Sequence, residues 1–146
     1  MALKMSTGLK NKMLAGTSGS SSLRGILHGG IITIYTGNSP ATPDSAVSGS
    51  LVCTFSAATF GTGSTAGTVS IVSGVVTGTC GIAGTAGYFR FSETGDSGSA
   101  STTTARIEGV IGTPESVGVD MTLVNTVLLS GQALTITTGD IGFPIS

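Results

Sequence analysis

The chain has 146 residues, of which 39% are hydrophobic and only 9% charged, where soluble domains average about 25% charged. That length fits one domain with its own core and argues against the two barrels of a chymotrypsin-like protease. The formal charge of −1 is unevenly spread: Lys4, Lys10, Lys12 and Arg24 put +4 on the first 28 residues, and seven acids against Arg90 and Arg106 leave −5 on the rest.

The leading stretch reads as a basic helical arm, residues 1–29. Ser6 or Thr7 is placed to cap a short helix that carries Leu9 and Met13 and stops at Gly16. Ser22 opens a second turn, with Leu23 and Leu27 four apart, ended by Gly29-Gly30. Helices so short need something to pack on, so the arm is expected to order when it docks. No apolar run reaches the length of a membrane span or an export signal.

From residue 30 to 146 the texture is that of strands. "IITIYTG" is β-branched and aromatic. "NSPATPDSAVSG" is a loop, and "SLVCTFS" alternates with Leu51, Cys53 and Phe55 on one side. "TVSIVSGVVTGT" has the form of a hairpin turning at Ser73-Gly74. "AGYFRFSE" sets Phe89 and Phe91 against Tyr88 and Arg90, and "TARIEGVIG" sets Ile107 and Ile111 against Arg106 and Glu108. "VDMTLVNTVLLS" and "ALTITTG" complete about eight strands. Turn signals near every tenth residue predict an all-β, antiparallel sandwich, jelly-roll or immunoglobulin-like. Phe55, Phe60, Phe89 and Phe91 are the expected aromatic centre of its core.

Few residues invite chemistry. "GDSG", residues 95–98, matches the surroundings of a protease serine, but Ser97 needs a base. The sole histidine, His28, lies at a helix end, and Asp44 in a Pro-rich loop. The stretch reads as a turn, with a Ser97 hydrolase as the remote alternative. Cys53 and Cys80 are expected to be buried thiols, with a bridge between them left open. "GTGSTAG" lacks the lysine of a phosphate loop. The scattered acids, Glu93 and Asp96 included, form no calcium ladder. No cofactor, metal or specific nucleic acid is expected. Tyr35 and Tyr88 are the only candidates for a carbohydrate platform. Arg90, Arg106 and Glu108 point away from the predicted core. With charge so scarce, they and Lys4, Lys10, Lys12 and Arg24 are the expected docking residues, since arginine is enriched in interfaces.

Four segments, "LKMSTGLKNKML", "IITIYTGNSPATPDSA", "GTAGYFRF" and "ARIEGVIGT", in this order, resemble small virion structural proteins of tailed bacteriophages. The resemblance implies a non-enzymatic, β-rich protein on the particle. Absence of a heptad stalk argues against a fibre. A compact domain with a basic arm suits a capsid decoration, or cement, protein. Its expected partners are the major capsid protein and its own copies, for instance as a trimer. The expected location is the capsid surface, after assembly in the bacterial cytoplasm. A neck, collar or tail component is the alternative.

Overall fold

The structure is a computed structural model that describes residues 3–16, 22–58, 64–65, 68–70, 76–136 and 140–142. In chain order it contains β1 (Lys4–Met5), α1 (Thr7–Ala15), α2 (Leu23–Leu27), β2 (Gly30–Thr36), β3 (Leu51–Ala58), β4 (Ser64–Thr65) and β5 (Thr68–Ser70). Then follow β6 (Val76–Cys80), β7 (Gly84–Ser92), β8 (Arg106–Gly112), β9 (Met121–Thr122), β10 (Val127–Leu128), β11 (Ala133–Ile136) and β12 (Asp140–Gly142). Among the described residues, nine strands form one sheet in the order β1-β8-β7-β2-β3-β6-β11, with β10 on β7 and β9 on β8. A small sheet, β12-β5-β4, stands beside this order. The protein is therefore β-rich, with one large sheet, antiparallel throughout except at β8–β9, and two short helices.

The strand register sorts the side chains into rows. Met5, Ile107, Phe91, Ile32 and Phe55 stand opposite one another across five strands. The adjacent row runs Lys4, Glu108, Arg90, Thr33, Thr54 and Thr79 across six. Successive residues of a strand point to opposite faces, so one face is an apolar sheet surface and the other carries ions and hydroxyls. On the apolar face, phenylalanine rings lie over glycines of neighbouring strands. A Cβ on Gly109 would sit 2.6 Å from the Phe89 ring, and one on Gly78 would sit 2.7 Å from that of Phe55. These in-strand glycines make room for the aromatic core; they are not turn residues. Phe60 lies outside the described residues.

The leading stretch is built into this core. Leu9, Leu23 and Leu27 are buried in the same apolar cluster as Ile32, Ile34, Phe55, Phe89, Phe91 and Ile107. Ser6 caps α1 through Leu9 N, as its type and position predict, and Gly16 closes the helix with a φ of 58°. Ser6 also accepts from Arg106 N at 2.9 Å and donates to Thr104 O at 2.9 Å, tying the cap to the start of β8. The arm expected to order only on docking is thus ordered within the chain, because its leucines cover one face of the sheet.

The predicted hairpin at Ser73-Gly74 has its turn outside the described residues, and its flanking strands part company. Strand β5 pairs with β4 and β12, whereas β6 pairs with β3 and β11. The "VDMTLVNTVLLS" segment is not one strand but two two-residue bridges, β9 and β10.

Candidate interaction site

Over β7 and β8 the polar face of the sheet is covered. The 37–50 loop and the 93–105 loop close over it, knitted together by Val47 N to Gly98 O at 2.9 Å and Ser101 N to Asp44 O at 2.8 Å. Beneath them Arg90, Arg106 and Glu108 are all buried. The expectation that these three project outward for a partner is corrected: the chain's own loops occupy them. Alternation identified their face correctly, but a sheet has two faces to bury when loops this long return across it.

Each arginine is paired with a carboxylate. Arg106 grips Asp96 with two parallel contacts, Nε to Oδ2 at 2.8 Å and Nη2 to Oδ1 at 2.5 Å. It also donates to Pro43 O at 2.9 Å and Ser99 O at 2.7 Å. This paired geometry is the strongest form of charge-assisted bond. Arg90 reaches a single oxygen, Oε1 of Glu108, from Nε at 2.6 Å and from Nη2 at 2.5 Å. Its Nη2 also donates to Ser45 O at 2.9 Å. Arg90 Nη1 and Glu108 Oε2 find no hydrogen-bond partner among the described residues.

The two carboxylates respond oppositely. Burial pushes the Asp96 carboxyl up, but Arg106 and the Gly98 amide outweigh it and hold the group below the usual aspartate range. For Glu108 burial wins over Arg90, and the carboxyl is held above the usual glutamate range. Burial also raises the Tyr88 hydroxyl, against its bonds to Ser48. Tyr88 stacks on Tyr35 with ring centroids 5.2 Å apart, and both are buried. The two tyrosines that were the only candidates for a carbohydrate platform are therefore not exposed.

The remaining basic residues divide. Lys4 Nζ donates to Ser39 Oγ and Pro40 O, each at 2.8 Å, pinning the 37–50 loop. Lys12 pairs with Glu93 at 2.5 Å, and Glu93 also accepts from Ala105 N at 2.9 Å. Lys10 is exposed and Arg24 partly so. The acids of the protease-like reading are committed to loop architecture. Asp96 holds Arg106, while Asp44 receives Thr7 N at 2.8 Å and Thr7 Oγ1 at 2.5 Å at the start of α1. Ser97 is exposed and its Oγ accepts from Ser99 N. Among the described residues no group of three or more His, Cys, Asp or Glu side chains is placed to hold a metal ion. No helix there is long and apolar enough to cross a membrane.

A neutral region lies toward the β11 end of the strand order; Leu14 and Val117 are also exposed but belong to the charge-bearing segments. Residues 45–89 and 121–139 carry no Asp, Glu, Lys or Arg, so β3, β6, β10 and β11 are neutral, while the charges of the large sheet sit on β1, β7 and β8. At the neutral edge large apolar side chains are open to solvent: Leu51 is 47% exposed, Ile82 44%, Val124 95%, Val127 54% and Leu129 64%. Hydrogen bonds to the backbone bring their segments together. Gly81 N donates to Val52 O at 2.8 Å, Ser130 Oγ to Gly81 O at 3.0 Å, and Ala86 N to Thr126 O at 2.8 Å. Single exposed aliphatics are ordinary, but a group of them marks a contact surface. Sequence reasoning sought docking residues among the charges and did not single these out; the two charge-free stretches were the available signal.

No protein-family model, curated protein or solved structure matches the chain.

Proposed function

We propose that the chain is a virion structural protein, a capsid decoration protein that stabilises a phage head through symmetric subunit contacts, with no turnover of a substrate. The observation that carries this reading is the neutral edge with its exposed Leu51, Ile82, Val124, Val127 and Leu129. Burying such side chains stabilises by about 25 cal/mol per Å² and needs no partner charge, which suits contacts repeated between identical or closely packed shell subunits. A protein that binds only the assembled shell stabilises it by mass action. The resemblance of "IITIYTGNSPATPDSA", "GTAGYFRF" and "ARIEGVIGT" to small phage virion proteins supports the same reading. In it, the large and small sheets belong to a sandwich of the jelly-roll or immunoglobulin-like kind.

The test is a double substitution, Val124→Asp with Leu129→Asp, compared with wild type for binding to undecorated heads and for self-association by sedimentation. Both side chains are exposed, so the stability of the monomer should change by no more than about 0.5 kcal/mol. Association with heads and with other copies should be lost. Unchanged binding removes the neutral edge from the argument. A reconstruction of the particle with density only at the neck or tail replaces decoration with the alternative location.

A further inference from the structure

Cys53 and Cys80 are register partners on β3 and β6. Both are free and buried. The backbone of Cys80 is turned wholly toward the other neighbour: its N donates to Gln132 O at 2.9 Å and its O accepts from Gly131 N at 2.8 Å. The bond from Gly81 N to Val52 O marks the adjacent pair as the hydrogen-bonded one. Cys53 and Cys80 therefore form a non-hydrogen-bonded pair, the antiparallel position where Cα atoms approach to about 4.5 Å and side chains are closest. That separation lies inside the ~4.4–6.8 Å range that disulfides span. Two cysteines placed at random in a sheet would rarely meet this condition.

We propose that Cys53 and Cys80 are a reversible modification site, a dithiol that small-molecule disulfides of the glutathione type convert to an intramolecular bond between β3 and β6. One protein thiolate attacks a sulfur of oxidised glutathione, forms a mixed disulfide and releases one reduced glutathione. The second protein thiolate then attacks the protein sulfur of that intermediate and releases another. The protein loses two electrons and two protons, and one oxidised glutathione becomes two reduced molecules.

The position gives the bond a structural effect. Among the described residues β6 is registered to β3 only at Cys53–Cys80 and Thr54–Thr79, and β11 joins the sheet through β6. The bond clamps that short junction, and with it the neutral edge. It also encloses residues 54–79 in a covalent loop, which restricts the unfolded chain. Burial and the adjacent thiol of Cys80 push the Cys53 thiol up to about 12. Thiolate is accordingly scarce in the closed sheet, and formation is slow at neutral pH and faster with base or strand opening.

The experiment uses the full chain. One sample is incubated native with oxidised glutathione at mildly alkaline pH, and another is refolded from denaturant in a glutathione redox buffer. Thiols are then alkylated under denaturing conditions, and the protein is weighed intact and mapped with chymotrypsin, because trypsin leaves both cysteines in the single fragment 25–90. The expected product is a monomer lighter by two hydrogens, linked Cys53 to Cys80, with a higher urea midpoint that returns to the starting value under dithiothreitol. Cys53→Ser and Cys80→Ser should each show no such shift. Two alkylatable thiols after both routes, a glutathione retained on one cysteine, a linked dimer, or an oxidised form no more stable than the dithiol would each overturn the proposal. The refolding route prevents burial of the thiols from deciding the result.

Discussion

Glu108 meets Arg90 through one oxygen only, so its burial is incompletely compensated. Removing one member of a buried pair strands the other and costs about 3–5 kcal/mol. Glu108→Leu, which takes the acceptor from Arg90 Nε and leaves the guanidinium buried, should therefore destabilise by that amount, measured by urea unfolding. Replacing both residues, as Arg90→Met with Glu108→Leu, should recover most of the loss, since apolar groups of similar volume often match a buried pair. Protons separate the two carboxylates further. The raised Glu108 binds a proton more tightly folded than unfolded, so its contribution is full below its ordinary value of 4.5 and falls as pH rises from there through its folded value. The lowered Asp96 does the reverse: its contribution is present above 3.8 and is lost as pH falls below that, through its folded value. Glu108→Gln should flatten the decline above 4.5, and Asp96→Asn should remove part of the acid limb. A wild-type pH profile in both variants would disprove these assignments. The parity of Tyr88-Phe89-Arg90-Phe91 was legible in the sequence, but the roof over its polar side was not. Contacts such as Arg90 to Ser45 and Arg106 to Pro43 join residues far apart in the chain, which no local pattern records.

Helix α1 shows how packing overrides propensity. Alanine is normally better than glycine in a helix by about 1 kcal/mol. At Gly8, however, a Cβ would lie 2.4 Å from the carbonyl carbon of Thr103 and 2.5 Å from its oxygen. Backbone cannot swing aside as a side-chain end can, and overpacking costs about 1–3 kcal/mol. Gly8→Ala should therefore destabilise, against the propensity scale; a higher melting temperature would show that the helix is free to shift off the 93–105 loop. The caps of both helices and the bounds of β2, β3, β7 and β8 follow from local signals, namely Ser6, Ser22, Gly16 and runs of β-branched and aromatic residues. Elements whose partners are distant were harder to read. The parting of β5 from β6 depends on β12 and β11, both from the far end of the chain. The shortness of β9 and β10 reflects two-residue ladders to β8 and β7, where the sequence read as one strand.

The chain divides its charge across the width of one sheet, and its behaviour as a body should follow that division. An arm that orders only on docking would be dispensable for folding of the β domain. The core speaks otherwise, because Leu9, Leu23 and Leu27 are buried in it. Truncating a buried leucine costs about 2–5 kcal/mol, and losing three such side chains approaches the whole ~5–15 kcal/mol that holds a domain together. Circular dichroism of the 29–146 fragment should show loss of cooperative melting; a sharp transition near that of the full chain would contradict this. Attachment should also differ from that of a basic arm. Lys4 and Lys12 are engaged at home, with Ser39 and Glu93, and the exposed apolar edge has no ions to screen. Binding to heads through that edge should hardly change with sodium chloride and should tighten with sulfate; a steep fall with added chloride would return the weight to the lysines. On the proposed reading, a seam without charges would be little troubled by a change from fresh water to brine, and cold is the condition that would loosen it.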